Sequence, residues 1–116
     1  MSDSNSHLYY EGYDQKISSK ITAYLMANLS ESLNAKDISA LFGISNATLQ
    51  RIFRRVFGLS YRQYLTNLRM NKAMELLNEG ALVKQMMYET GYKSRSAFNQ
   101  AFIKRFKYPP TYFRRG

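Results

Sequence analysis

The stretch GISNATLQRIFRRVF, residues 43–57, decides how the chain folds. Gly43 stops whatever helix precedes it, Ser45 is an N-cap residue type, and Leu49, Ile52, Phe53, Val56 and Phe57 recur at the spacing of one helical stripe. Just upstream, Ile38, Leu41 and Phe42 follow Asn34 and Asp37, a pair spaced like a capped helix start. Two helices are then joined by only Gly43-Ile44-Ser45, the economy of a helix-turn-helix. The stretch GYKSRSAFNQAFIKRF, residues 91–106, repeats the arrangement. Leu49, Phe53 and Phe57 return as Phe98, Phe102 and Phe106 at a constant offset of 49, while Gly91 follows Gly43 by 48, so the second turn is one residue longer. A short helix, a glycine turn and a helix with i, i+4, i+8 anchors therefore occur twice.

Upstream, Ile17, Ile21, Tyr24, Leu25 and Leu29 form one stripe of a first helix from about Gln15 to Leu29, which Ser30 to Leu33 break. Ser60 and Gln63 make a capping box. Behind it Tyr61, Tyr64, Leu65, Leu68, Ala73, Leu76 and Leu77 mark the longest helix, ending near Gly80. From Ser60 to Asn78 that helix is about 28 Å long at 1.5 Å per residue, close to the roughly 34 Å between successive major-groove faces of a duplex. Val83, Met86, Met87 and Thr90 belong to another short helix, Pro109 and Pro110 stop the last long one, and Thr111 to Arg114 add a final turn. β-Branched residues never alternate with polar ones over four positions, so the expected fold is all-α. Its expected organisation is a flexible leader over 1–14, a first helix-turn-helix over about 15–58, a linker helix over about 60–79 and a second helix-turn-helix over about 82–116.

The 116 residues hold 17 Lys plus Arg against 8 Asp plus Glu, and the imbalance lies entirely after residue 33. Residues 1–33 carry two bases and four acids, leaving 15 bases and four acids, net +11, for 34–116. A segment so charged seeks a polyanion. The chain has no cysteine, which excludes disulfides, thiolate metal sites and a cysteine nucleophile, and its one histidine, His7, lies in the polar leader. Neither catalysis, metal nor cofactor is expected. No apolar run approaches the roughly 20 residues of a membrane span and no signal peptide opens the chain, so a cytoplasmic protein is expected.

At about 100° per residue, the outward stripe of the first post-turn helix is Ala47, Gln50, Arg51 and Arg54. That of the second is Arg95, Ser96, Asn99, Gln100 and Ile103. Gln and Asn can bond adenine N6 and N7, Arg can bond guanine O6 and N7, and apolar groups can touch the thymine methyl. Arg55, Arg62, Lys84, Lys104, Arg105 and Lys107 flank these stripes and suit phosphate contacts, which position a protein without reading sequence. The ten tyrosines and seven phenylalanines sit mostly at core spacing, which favours packing over base stacking.

From Leu33 to Arg115 the sequence resembles the DNA-binding domain of the AraC/XylS transcription regulators. The resemblance rests on Gly43-Ile44-Ser45, Leu49, Phe53, Gly58-Leu59-Ser60, Tyr64-Leu65, Arg69, Ala73 and Leu76-Leu77, then on Gly91-Tyr92, Ser96, Phe98, Phe102, Pro110, Phe113 and Arg114. It implies seven helices, with two helix-turn-helix subdomains joined by the long helix. It also implies base-reading positions at Ala47, Gln50 and Arg51, and at Arg95, Ser96, Asn99 and Gln100. The sequence departs from the family pattern at Met87, Tyr92, Ile103, Lys107 and Pro109, where a small residue, Phe, a base, Gly and Thr are usual. About 14 residues precede the first expected helix, too few for a sensing or dimerisation domain, so no small-molecule effector is expected to bind this chain.

The function expected is sequence-specific recognition of double-stranded DNA by a transcription regulator. The rival is a helical protein-interaction module docking on an acidic partner such as an RNA polymerase subunit, which an activator could also contact. An adaptor of that kind needs an exposed apolar groove. DNA recognition needs Gln, Asn and Arg on outward stripes, and the sequence supplies them twice.

Overall fold

The computed structural model describes the backbone of residues 2–114 and the side chains of residues 12–114. Seven helices follow one another: α1 (Ser2–Ala27), α2 (Ala35–Leu41), α3 (Asn46–Phe57), α4 (Tyr61–Asn78), α5 (Val83–Thr90), α6 (Arg95–Phe106) and α7 (Pro110–Phe113). Among the described residues there is no strand, and the all-α expectation holds.

Local chemistry sets most of the boundaries. Asn34 Oδ1 accepts the Asp37 N–H at 2.9 Å while its amide donates to the Asp37 carboxylate, which starts α2. α4 opens with a reciprocal box: the Ser60 N–H donates to Gln63 Oε1 at 3.0 Å, and the Gln63 N–H to Ser60 Oγ at 3.2 Å. The helices before the two turns end alike. The Ile44 N–H reaches back to the Ser39 carbonyl at 2.9 Å and the Tyr92 N–H to the Met87 carbonyl at 3.0 Å, with Gly43 and Gly91 at φ of 68° and 80°. This closure requires a left-handed residue, which glycine supplies without a Cβ penalty.

The chain forms two compact units. The first consists of α1, α2, α3 and the first turn of α4, with Ile21, Leu25, Leu33, Ile38, Leu49, Ile52, Phe53 and Tyr61 buried. The Phe53 ring is met by Phe57, Tyr61 and Tyr64, each with its centroid 5.2 Å away, and the Tyr61 hydroxyl donates to the Leu33 carbonyl at 2.6 Å. The second unit consists of Asn28–Ser32, the rest of α4 and α5 to α7. Its core is Met70, Ala73, Leu76, Leu77, Ala81, Met86, Phe98 and Phe102, and Phe106 and Phe113 pack on the Phe102 ring.

Four features differ from the sequence expectation. α1 starts ahead of Gln15, so Gly12, Tyr13 and Asp14 of the expected leader are helical and Asp14 is buried; the side chains before them lie outside the described residues. The inner stripe of α1 is Asp14, Ser18, Ile21 and Leu25, whereas Tyr24 is 39% exposed and touches Phe42 edge-on at 6.0 Å. Leu41 is also exposed. Finally, Asn28–Ser32 belongs with the second unit rather than with a first unit running unbroken over 15–58. Arg69 Nη2 donates to the Glu31 carbonyl at 2.8 Å, and the Leu29 carbonyl lies so close to Gly91 that a Cβ there would meet it at 2.7 Å.

Candidate nucleic-acid interface

α3 and α6 are built as copies. Each has 12 residues, and their caps keep the offset of 49: Ser45 and Ser94 at the start, Gly58 and Lys107 at the end. Ser45 Oγ accepts the Thr48 N–H and Ser94 Oγ the Ala97 N–H, both at 3.0 Å. At the far end Gly58 and Lys107 both adopt the left-handed conformation, at φ of 71° and 77°, and their N–H groups donate to the Arg54 and Ile103 carbonyls. Lys107, which occupies a position where the family pattern has glycine, takes the glycine conformation nonetheless. It is the only non-glycine residue with positive φ among those described. Pro109 then caps α7 with Pro110 at its first position, where a missing N–H costs nothing.

With Leu49, Ile52 and Phe53 of α3 and Phe98 and Phe102 of α6 buried, the opposite faces are outward. Ala47, Arg51 and Arg54 are exposed on α3, and Gln50 is half-buried. On α6, Arg95, Ser96, Gln100 and Ile103 are exposed, and Asn99 is half-buried. Of the residues expected at phosphates, Arg55, Arg62, Lys84, Lys104, Arg105 and Lys107 are all exposed. Arg105 stands apart from the outward stripe: its Nη2 donates to Asn71 Oδ1 at 3.4 Å, and its guanidinium lies 5.0 Å from the centre of the Phe106 ring.

The two outward faces differ in how far their polar groups are engaged within the chain. Gln50 bridges: its amide N–H₂ donates to Asn46 Oδ1 at 3.3 Å, and its Oε1 accepts the Tyr61 N–H at 3.1 Å, satisfying a free donor at the start of α4. Arg51 pairs with Asp14 at 2.9 Å, and Arg55 Nη1 lies 3.7 Å from the same carboxylate. On α6, no described residue makes a side-chain hydrogen bond or ion pair with Arg95, Ser96, Asn99 or Gln100. Asp14 is the functional candidate that sequence reasoning missed. The signal was present, since Asp14 and Ser18 continue the Ile21 and Leu25 stripe, but a search for apolar periodicity passes over polar members. Behind α3, burial against Phe57 and Phe53 raises the Tyr64 phenol above its usual range.

Residues 38–116 match the helix-turn-helix domain family. A structure described as the C-terminal domain of AraT, a response regulator from Geobacillus stearothermophilus, superposes with a TM-score of 0.78 at 26% identity, covering 83% of this chain and 81% of that one. A Chromobacterium violaceum transcriptional regulator described as containing an AraC-type DNA-binding domain superposes with a TM-score of 0.73, again at 26% identity, over 81% of this chain and 85% of that one. The chain belongs to the AraC/XylS family of transcription regulators. The part of an AraC/XylS regulator that it contains is the all-α DNA-binding domain. Among its relatives by sequence is the HTH-type transcriptional regulator YfiF of Bacillus subtilis, 32% identical over 96 residues, which are 82% of this chain and 30% of that protein. The chain spans about a third of the length of the curated AraC/XylS relatives it matches. Among the described residues, no helix is long and apolar enough to cross a membrane.

Proposed function

We propose that this domain binds double-stranded DNA sequence-specifically, with α3 and α6 each reading one of two adjacent major-groove segments on one duplex. The observation that carries the reading is the repeated 12-residue helix with matched caps, which twice presents residue types suited to base edges on the face opposite its core. In α3 these are Ala47, Gln50, Arg51 and Arg54; in α6 they are Arg95, Ser96, Asn99 and Gln100. Arg55, Arg62, Lys84, Lys104, Arg105 and Lys107 supply the sequence-independent attraction to phosphates, in a segment of net +11. Two reading helices on one chain remove the need for a symmetric dimer, so the site is asymmetric, with two patches about 10 base pairs apart.

Selection of bound duplexes from a random pool tests this directly. The expected product is a bipartite, non-palindromic motif bound by one protein per duplex. Binding should weaken steeply with salt, by about 0.9 in log K per log unit of salt for each phosphate neutralised. A palindrome bound two-to-one would refute the two-groove monomer, and a pool that stays random would refute sequence reading altogether.

A further inference from the structure

Asp14 has a second claim on attention, because a carboxylate with no exposed surface on α1 is costly to bury unless it is paired, and its partners lie on the reading helix. Arg51 Nη1 donates to Asp14 Oδ2 at 2.9 Å, and Nη2 approaches Oδ1 at 3.5 Å. Arg55 Nη1 stands 3.7 Å from Oδ2. The Arg51 side chain is nevertheless 46% exposed. A guanidinium carries five N–H donors in a rigid plane, and Asp14 takes one from each terminal nitrogen. What remains includes the edge formed by Nε–H and the second Nη2–H, two parallel donors of the kind that match guanine O6 and N7.

We propose that Asp14 is a specificity-determining positioning residue for DNA recognition, holding Arg51 by one edge so that its Nε and Nη2 edge meets the base. This deepens the proposed function and rests on it. Two physical effects follow from the pairing. Arg51 loses rotamer freedom during folding rather than on binding, so less entropy is lost when the base contact forms. The carboxylate also offsets the positive charge of Arg51 and Arg55, so the arginines are less available to any passing phosphate. Asp14 thus favours the correct base and disfavours indiscriminate backbone binding.

The test is Asp14→Asn, which keeps the shape of the side chain and removes its charge. Affinities are measured against a panel of duplexes carrying every single-base change in the selected site, with a non-specific duplex alongside. The expected result is at least a fivefold loss of discrimination at one base pair, less than twofold change elsewhere, and non-specific binding that is unchanged or tighter. In an Arg51→Ala background, Asp14→Asn should have no further effect at that base pair. A merely structural carboxylate would weaken all duplexes alike, and that outcome overturns the proposal, as does unaltered discrimination at every position. If the unsubstituted protein itself shows no base preference, the proposed function fails and this inference with it, which is distinguishable from failure of the variant alone. Should Asp14→Asn not fold, side-chain ¹⁵N spectra of the unsubstituted protein decide. Rotation of the Arg51 terminal nitrogens should be hindered in the free protein while that of Arg54 is not, and equal freedom for both would overturn the proposal.

Discussion

Gly43 and Gly91 hold equivalent places in the repeat, yet alanine at the two positions should have very different consequences. At Gly43, with φ of 68°, an added Cβ has no atom within 4 Å, so the only cost is the left-handed backbone. That cost is about 1–2 kcal/mol for an L-residue, partly offset by about 0.4–1 kcal/mol because alanine has less freedom to lose on folding. The net for Gly43→Ala is therefore about 0.5–1 kcal/mol of destabilisation. At Gly91, with φ of 80°, the same Cβ would lie 2.7 Å from the Leu29 carbonyl oxygen and 3.1 Å from Arg69 Nη2. The carbonyl is backbone and cannot swing aside. Arg69 is itself fixed, since Nη2 donates to the Glu31 carbonyl at 2.8 Å. Making room disturbs that charge-assisted hydrogen bond, adding about 1.5–3 kcal/mol. Gly91→Ala should thus cost about 2–4 kcal/mol, at least 1.5 kcal/mol more than Gly43→Ala. Urea unfolding followed by helical circular dichroism measures both, with an unchanged m-value showing that the denatured state is not the source. Equal losses for the two variants, or a Gly91→Ala loss below about 1 kcal/mol, would refute the argument that close approach, and not backbone angle alone, demands glycine at 91.

Lys107→Gly should stabilise the domain by about 0.5–1 kcal/mol, the reverse of Gly43→Ala, because an exposed lysine there bears the left-handed strain with no side-chain hydrogen bond or ion pair to lose among the described residues; a thermal melt checks it. Because burial raises the Tyr64 phenol, the folded state holds that proton more tightly than the unfolded chain does. The resulting stability is complete below the usual tyrosine value of about 10 and is lost as pH rises above it toward the raised folded value. Tyr64→Phe should therefore flatten that part of the alkaline decline in urea titrations from pH 9 to 11. Arg54→Ala should lose about 1–3 kcal/mol at one base pair and leave the rest of the site intact, whereas Lys104→Ala should weaken all duplexes alike and reduce the salt slope by about 0.9. A duplex panel at several salt concentrations separates the two.

What the sequence made legible was what its chemistry writes locally. Asn34 with Asp37, Ser45 with the Leu49 stripe, and Ser60 with Gln63 each carry cap and partner within a few residues, and all three mark helix starts in the structure. The outward faces were legible for the same reason, since the buried stripe of a helix locates its opposite. Partners far apart in the chain were not. Nothing near Gln50 announces that its carbonyl oxygen satisfies the Tyr61 N–H, and nothing near Arg51 points to a carboxylate 37 positions earlier. The assignment of Asn28–Ser32 to the second unit likewise depends on Arg69 and Gly91, which are distant in sequence. Lys107 shows a different limit: propensity argues against a left-handed lysine, and the geometry needed to end α6 overrides it.

The uneven engagement of α3 and α6 bears on how such a protein can change its target. Replacing Gln50 removes an acceptor at the start of α4, and replacing Arg51 leaves a buried carboxylate without its nearest partner, so substitutions at these two positions also lower folding stability. Arg95, Ser96, Asn99 and Gln100 carry no such second duty among the described residues. If the two helices read DNA as proposed, the second is the evolvable half, free to drift toward new targets, while the first changes only when the scaffold can tolerate the loss.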